Sequence, residues 1–447
     1  MSNFAFTPHG SEDLKEMLSA VGVASLDDLF AAIPKEMRVS SLNLPAGISE
    51  YEVLKRLTAL SKKNDSSLVC FLGGGFYDHF IPAAEDAIAA RGEFTTCYTP
   101  YQPEVAQGTL QTMFEFQSGM CRLTGMEVSN ASVYDGGSAV FEAASMAARI
   151  NGRKRFLVDG SLNPIYLDML KSYAANMSFE FVVVPPKDGK ADKEAIKSAL
   201  DASVSAVIVQ NPSFFGCVDD YTETAEAAHA AGALLILVCY PLSLALLKTP
   251  GEMGVDIAVG DAQSLGQPLG FGGPYLGFMT TSKKLARKMP GRICGQTQDK
   301  NGNRGFVLTL QAREQHIRRE KATSNICSNQ NLCAIMATIY LALLGKEGLY
   351  EAALNSAKNA AYAQKELTKI PGVSATFSSP FFNEFAITLP KPACEVSKKL
   401  LAAGFAGGIP LGGIVEGMSN VLLVACTEKR TKAEIDGLCA ALKAALA

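Results

Sequence analysis

The sequence predicts an α/β protein whose central sheet is doubly wound and mainly parallel. Two observations carry this prediction. Short apolar runs rich in β-branched residues alternate with helical stretches, and this alternation is typical of right-handed strand–helix–strand units. Five of the six runs have the length of a buried strand. The runs are Phe156–Asp159, Phe179–Val184, Ala206–Gln210, Leu234–Cys239, Ile257–Val259 and Leu276–Thr280.

Both ends of the chain depart from this alternation. Near the N-terminus, Ser11, Ser25 and Ser49 each stand beside acidic residues, a pattern that predicts helix starts. After Met289 a helical stretch leads into strands near residues 373–377, 384–389 and 421–426. We therefore expect a helical N-terminal segment over residues 1–70, a large α/β domain over 71–325 and a small α+β domain over 326–447.

Composition restricts the classes of partner. Of the 447 residues, 48% are hydrophobic and 19% are charged, and the net charge is −3. This profile is typical of a soluble globular protein, so we expect neither nucleic acid nor a membrane as a partner. The uncharged stretch Ala230–Leu247 is long enough to span a membrane, but Pro241 interrupts it. We expect a buried strand, a turn and a short helix there instead.

Cysteine usage predicts the compartment. The eleven cysteines are dispersed, form no CxxC pair and lie beside none of the four histidines, so we expect no metal site. A large apolar core needs no disulfide framework, which favours a reducing cytoplasm. The N-terminal residues lack the pattern of a signal or transit peptide. We therefore expect a cytoplasmic protein.

Several short motifs contain residue types suited to a functional site. Asp135-Gly-Gly-Ser-Ala139 opens a predicted helix, where backbone N–H groups can approach a phosphate, although Gly-Gly before a helix is also typical of a tight turn. Tyr98-Thr-Pro-Tyr-Gln-Pro-Glu104 is interrupted by proline and cannot form a regular helix. The others are Gly270-Phe-Gly-Gly-Pro274 and a basic stretch that begins at Arg313 and ends at Asn325.

Together and in this order, the motifs resemble those of glycine decarboxylase, the P-protein of the glycine cleavage system. The segments YTPYQPE (98–104) and QAREQHIRREKATSN (311–325) are the most specific, and the resemblance covers essentially the whole chain. It implies an aminotransferase-like (fold-type I) fold. In some organisms the two homologous halves of this enzyme are separate subunits that assemble as an α2β2 heterotetramer. The length and the helical leader of this chain resemble the α-type subunit.

The resemblance also implies a reaction. The family uses pyridoxal phosphate to decarboxylate glycine and passes the aminomethyl group to the lipoyl arm of H-protein, the activity of glycine dehydrogenase (aminomethyl-transferring). Such a site needs a lysine that holds the cofactor as a Schiff base. It also needs an acid beside the pyridinium nitrogen, so that the ring can store electrons.

This chain departs from the family at both positions. Gln263 stands where the resemblance implies the lysine, and no lysine occurs between Lys248 and Lys283. Cys239 and Tyr240 stand where the acid is implied. We therefore expect no covalent catalytic residue and no covalently bound cofactor in this chain. Pyridoxal phosphate is expected on a homologous β-type partner subunit.

Other residues are candidates for lining that partner's site or for contacting a partner. The resemblance puts the Tyr98–Glu104 loop near the site formed between the halves. Ordinary loop packing, a structural histidine and a solvated helix face are the alternative interpretations. The candidates are Tyr98, Tyr101, Gln102, Glu104, His79, Arg313, His316, Arg318 and Arg319.

Two other functions stay open at this point. One is a self-sufficient pyridoxal-phosphate enzyme of the same fold that uses another lysine. The other is a purely structural partner subunit. Fold alone does not separate them.

Overall fold

The structure is a computed structural model that describes residues 9–39, 41–95 and 98–447. Two compact units divide the chain, Met1–Ser66 and Ser67–Ala447. The predicted boundary near residue 325, inside the second unit, stays a prediction.

The first unit contains two α-helices, α1 (Ser11–Val21) and α2 (Glu50–Ser61). At the start of α2 the Ser49 hydroxyl accepts the Glu52 amide at 3.3 Å, and the Glu52 carboxylate accepts the Ser49 amide at 2.9 Å. This reciprocal capping satisfies N–H groups that the helix itself leaves free. The helix expected after Ser25 is one 3₁₀ turn, Leu26–Phe30. None of the described residues of this unit is buried.

The second unit is built around a sheet of seven strands in the described part of the chain. Its spatial order is β2-β8-β7-β6-β5-β3-β4, with β8 antiparallel to both neighbours and the other pairs parallel. The predicted mainly parallel sheet is confirmed. The strands of the unit are β1 Val69–Cys70, β2 Val128–Ser129, β3 Arg155–Asp159, β4 Glu180–Val184, β5 Val204–Asn211, β6 Leu234–Cys239, β7 Ile257–Asp261, β8 Gly277–Thr281, β9 Ile293–Gln298, β10 Arg304–Thr309, β11 Ser374–Ala375, β12 Glu384–Thr388, β13 Phe405–Ala406, β14 Ile409–Pro410 and β15 Val421–Ala425.

Helices cover both faces of the central sheet because alternate residues of each strand point to opposite sides. Ile208 and Ile236 pack into the core under α6, whereas Val207 and Leu235 pack into the core on the other face. The helices of the unit are α3 Ala83–Ala89, α4 Gly92–Thr95, α5 Gln107–Thr124, α6 Gly136–Asn151, α7 Pro164–Tyr173, α8 Lys193–Ala199, α9 Thr222–Ala230, α10 Gln315–Arg318, α11 Asn331–Leu367, α12 Ala393–Ala402 and α13 Lys432–Leu446.

The C-terminal residues form a second, antiparallel sheet in the order β11-β12-β15-β14. Its apolar side packs against α12, α13 and the end of α11. By length and composition alone, α11 is the helix among the described residues that could cross a membrane. Gly345, at φ 60 and ψ −169, divides it into two segments. The stretch 230–247 folds as expected, because β6 is followed by the short 3₁₀ helix Pro241–Ala245.

Candidate functional site

A narrow cleft lies where β5, β6 and β7 end, at the edge of the sheet where α/β proteins of this type bind ligands. Tyr77, Tyr166, Tyr240 and Asp261 are among the residues that line it. The cavity measures ≈ 30 Å³. That is room for about one or two water molecules. Gln263, Cys239 and Tyr240, which stand where the resemblance implies cofactor-binding residues, lie at this cleft or beside it.

Gln263 follows β7 and is only 2% exposed. Its Oε1 accepts the Tyr77 amide at 3.1 Å, and its Nε2 donates to the carbonyls of Gln267 at 2.7 Å and Tyr77 at 3.3 Å. A lysine ammonium can donate but cannot accept, so it could not replace the first of these bonds. Gln263 therefore acts as a buried structural amide.

Cys239 and Tyr240 end β6 as neutral side chains, because burial raises the pKa of both groups. The Tyr240 hydroxyl bonds to Nε2 of His79, and Nδ1 of His79 lies 2.6 Å from the Glu428 carboxylate. Burial raises the pKa of Glu428, but the hydrogen bond and charge of His79 outweigh it and hold that pKa below its usual range. The Glu428 carboxylate is thus engaged by His79, the Phe80 amide and the Ser356 hydroxyl.

The N-terminus of α6 is the place where this fold offers N–H groups to a phosphate. In this chain two carboxylates accept hydrogen bonds from N–H groups at this end of α6. Asp135 accepts the Ser138 amide at 2.8 Å, and Asp261 accepts the Gly136 amide at 3.0 Å. A Cβ on Gly136 would lie 2.5 Å from the Tyr166 hydroxyl, so the side chains also fill the space.

These residues do not fit pyridoxal phosphate. A cofactor phosphate would meet the carboxyl groups of Asp135 and Asp261 at the helix N-terminus. The cofactor's aldehyde would meet the amide of Gln263 in place of an amine. Its ring nitrogen would meet the thiol of Cys239 and the phenol of Tyr240 in place of an acid.

A second group of candidate residues lies around the Tyr98–Glu104 loop, which is irregular as the prolines predict. The Tyr101 hydroxyl accepts a hydrogen bond from Arg292 at 3.2 Å, and its ring packs edge-on against His316 with centroids 5.9 Å apart. The Tyr98 hydroxyl accepts from Ser328 at 3.0 Å. Both tyrosines remain open to solvent, at 82% and 49% exposure. The loop therefore presents the Tyr98 hydroxyl at the surface, whereas the Tyr101 hydroxyl is partly buried against Arg292.

The basic stretch divides into an inward and an outward part. Arg313 turns inward and donates to the carbonyls of Gly291 at 2.9 Å and Leu310 at 3.1 Å. Arg318 and Arg319 are exposed. The structure thus brings Tyr101, His316 and Arg313 into one region, whereas His79 lies with Tyr240 at the cleft. Gln102 and Glu104 are exposed on the loop.

Sequence reasoning missed two acidic residues and one basic residue. Glu384 accepts the Tyr77 hydroxyl at 2.8 Å and the Gly74 amide at 2.7 Å, and burial raises the pKa of its carboxyl to about 7. The feature of the sequence that could have revealed Glu384 is its position as an acidic residue at the start of an apolar strand. Glu428 and Arg292 have no local signal, because their partners are far away along the chain.

The comparisons with known proteins agree along the full length of the chain. The family model of the glycine cleavage system P-protein matches residues 5–442. A probable glycine dehydrogenase (decarboxylating) subunit 1 from Geotalea uraniireducens is 55% identical over 99% of this chain and 100% of its own length. The protein of the same description from Nitratidesulfovibrio vulgaris is 56% identical over 95% of this chain and 96% of its own length.

Solved structures show the same relationship. A crystal structure of glycine decarboxylase (P-protein) of the glycine cleavage system, in inhibitor-bound form, is 45% identical, with a TM-score of 0.93 over 99% of this chain and 100% of the other. An alanine–glyoxylate aminotransferase from Nostoc sp. is 16% identical with a TM-score of 0.59 over 95% of this chain and 100% of the other, which shows the shared fold. The chain belongs to the glycine cleavage system P-protein family.

Proposed function

We propose that this chain is the subunit of a two-subunit glycine dehydrogenase (decarboxylating) that does not hold the cofactor. Its homologous β-type partner holds pyridoxal phosphate and decarboxylates glycine. The aminomethyl group then passes to the lipoyl arm of H-protein, which makes the complex a glycine dehydrogenase (aminomethyl-transferring). The single observation that carries the proposal is Gln263, a buried amide with acceptor and donors all engaged where the reaction needs a lysine amine.

In this proposal the chain contributes to the partner's site without reacting. The hydroxyls of Tyr98 and Tyr101 are preoriented by Ser328 and Arg292, and both residues are exposed, so they can orient a substrate group by hydrogen bonds. Such groups act by positioning the reactants and excluding water. Gln102, Glu104 and His316 stand beside them as further contacts for glycine, the lipoyl arm or the partner.

The existence of a partner is supported by the first unit of the chain. Val21, Met37, Leu42, Tyr51 and Leu54 are each more than 60% exposed, and the described residues of Met1–Ser66 include none that is buried. The relatives' description as subunit 1 implies a second subunit, and apolar side chains of this kind are suited to contact with it. Obligate contacts of this kind bury more than about 2,000 Å². An α2β2 heterotetramer satisfies this requirement.

The proposal includes a cytoplasmic location, which the eleven dispersed cysteines favour. A self-sufficient enzyme is disfavoured, because the amide of Gln263 and the carboxyl groups at the start of α6 leave no place for the cofactor. A purely structural role is disfavoured by the two exposed tyrosines of the Tyr98–Glu104 loop.

Reconstitution tests the proposal. Purified chain, purified second subunit of the same organism and their mixture are each assayed for exchange between CO2 and the glycine carboxyl group in the presence of lipoylated H-protein. We expect activity only in the mixture. Activity of this chain alone, or full activity of the second subunit alone, would contradict the proposal.

A further inference from the structure

Arg292 is a buried charge whose side-chain hydrogen bonds in the described part of the chain go to neutral acceptors. The residue is 5% exposed and lies just before β9. Its guanidinium donates to the Asn329 amide oxygen at 3.1 Å and to the Tyr101 hydroxyl at 3.2 Å, both neutral acceptors. Across residues 9–39, 41–95 and 98–447, no carboxylate forms an ion pair with it. Buried charges in proteins are normally paired, since an unpaired one loses its hydration without compensation.

Two further arginines near it are also incompletely satisfied. Nη1 of Arg313 and both Nε and Nη2 of Arg149 are buried without a hydrogen-bond partner. Arginine stays protonated in proteins, so none of these groups can escape the cost by losing a proton. A buried N–H left without an acceptor is destabilising, because it has lost its bond to water and gained none in return. The region therefore has more donors than this chain supplies acceptors.

The carboxylates in the region do not balance the charge. Glu314 lies 3.9 Å from Nη2 of Arg313, and Glu142 accepts the Ser324 hydroxyl at 2.6 Å. The charges of Glu142 and Arg313 act on Arg149, and those of Arg313, Arg292 and His316 act on Glu314, so the groups form one cluster. Among the described residues of this cluster three guanidinium groups stand against two carboxyl groups, and burial raises the pKa of both carboxyl groups.

The cluster reaches the solvent on one side. Tyr101, Arg292, Glu314 and His316 line the same small recess. Tyr101 is 49% exposed and His316 is exposed, so both stand at its solvent edge. A guanidinium fits a carboxylate best, because two parallel N–H groups can bond both oxygens.

We propose that Arg292 and its recess bind a carboxylate supplied from outside this chain. Two sources have this chemistry, the carboxylate of glycine and an acidic side chain of the partner subunit. The inference rests on the proposed function, since it assumes that the Tyr101 loop faces the partner's site. Arg292 supplies a positive charge and paired N–H groups for the carboxylate, which the neutral hydroxyls of the Tyr98–Glu104 loop cannot supply.

The test compares Arg292→Gln with Arg304→Gln in the reconstituted complex. Arg304 is a matched control because it is exposed on β10, where its guanidinium lies over the Phe306 ring. Losing a charged hydrogen bond costs roughly ten- to a hundredfold in affinity. If glycine is the ligand, Arg292→Gln raises KM for glycine by that factor and leaves the subunit Kd unchanged. If the partner supplies the carboxylate, the subunit Kd rises by that factor and becomes more sensitive to salt, whereas the KM for glycine is unchanged.

Arg292→Lys is a second variant that keeps the inference testable if Arg292→Gln does not fold. A lysine keeps the charge but not the paired N–H geometry, so we expect the same readout to move in the same direction, by less. Wild-type values of both KM and Kd in the Arg292 variants would overturn the inference. A wild-type chain that does not assemble with the second subunit would instead overturn the proposed function.

Discussion

Gln263 and Tyr77 exchange two hydrogen bonds, from the Tyr77 amide to Oε1 at 3.1 Å and from Nε2 to the Tyr77 carbonyl at 3.3 Å. The pair joins the turn after β7 to the loop that follows β1, and it does so inside a cleft with room for about one or two waters. The Tyr77 hydroxyl continues the network to Glu384. The cleft is thus held closed by the chain's own polar groups.

Restoring the lysine at this position should not restore cofactor binding. Gln263→Lys removes the acceptor of the Tyr77 amide and buries an ammonium group, so we expect a loss of about 1–3 kcal/mol in the free energy of unfolding. Chemical denaturation measures the loss, and the visible spectrum with added pyridoxal phosphate reports binding. Gln298→Lys, at the exposed end of β9, is the control and should change neither. A stable Gln263→Lys protein with a Schiff-base absorption band would contradict this prediction, because it would show that the cleft can admit the cofactor.

The Tyr98–Glu104 loop should affect catalysis and leave assembly unchanged. Tyr98→Phe and Tyr101→Phe each remove one oriented hydroxyl while preserving the ring, so we expect exchange activity of the complex to fall roughly ten- to a hundredfold. Tyr173→Phe, whose exposed ring packs edge-on against Phe141, should retain activity. Full activity of both loop variants would mean that the hydroxyls serve only packing.

Glu384 should make stability depend on pH. Burial raises the pKa of its carboxyl from 4.5 to about 7. Between these values the folded chain keeps a proton that the unfolded chain has released, so the free energy of unfolding falls as the pH rises through this window. Glu384→Gln removes this contribution, which amounts to at most about 3 kcal/mol. We therefore expect the wild type to lose stability relative to the variant between pH 5 and pH 8.

Urea denaturation across that range measures the difference between the two proteins. Asp159 and Asp261, whose pKa burial raises to about 6, titrate in the same window but are present in both. Glu395→Gln, on the exposed side of α12, should parallel the wild type. A difference between wild type and Glu384→Gln that is constant with pH would exclude a titrating Glu384.

Helix α2 should contribute to subunit association. Leu54 and Leu57 are three residues apart and are 64% and 57% exposed. Replacing both with serine loses the burial of two leucine side chains, about 3 kcal/mol or more, so the subunit Kd should rise about a hundredfold. Sedimentation of the mixture measures the Kd, and Lys55→Ser with Arg56→Ser, exposed on the same helix, is the control. An unchanged Kd in the leucine variant would remove α2 from the interface.

The central sheet was predictable because each of its longer strands is a local run of apolar residues that no other element explains as well. The hairpin β9–β10 was missed, since Ile293–Gln298 ends in polar residues and has no alternating pattern. Its turn gave a local signal, because Asp299 accepts the amides of Asn301 and Asn303 at 2.8 Å, but the polar loop alone did not reveal the strands.

The site was predictable only in part. Gln263, Cys239 and Tyr240 stood out because the resemblance specifies which residue types those positions need. Contacts such as His79 with Glu428, 349 residues apart, are formed by the fold and leave no trace in a local pattern. For the same reason sequence reasoning missed Arg292, whose partner Tyr101 is 191 residues away.

Borohydride reduction of the assembled complex tests most directly whether the partner subunit alone holds pyridoxal phosphate. The complex is loaded with the cofactor, reduced and digested, and the modified peptides of both subunits are mapped. We expect one labelled lysine in the partner subunit and none in this chain, because Gln263 offers an amide where a Schiff base needs an amine. Stoichiometric labelling of any lysine in this chain would contradict the assignment.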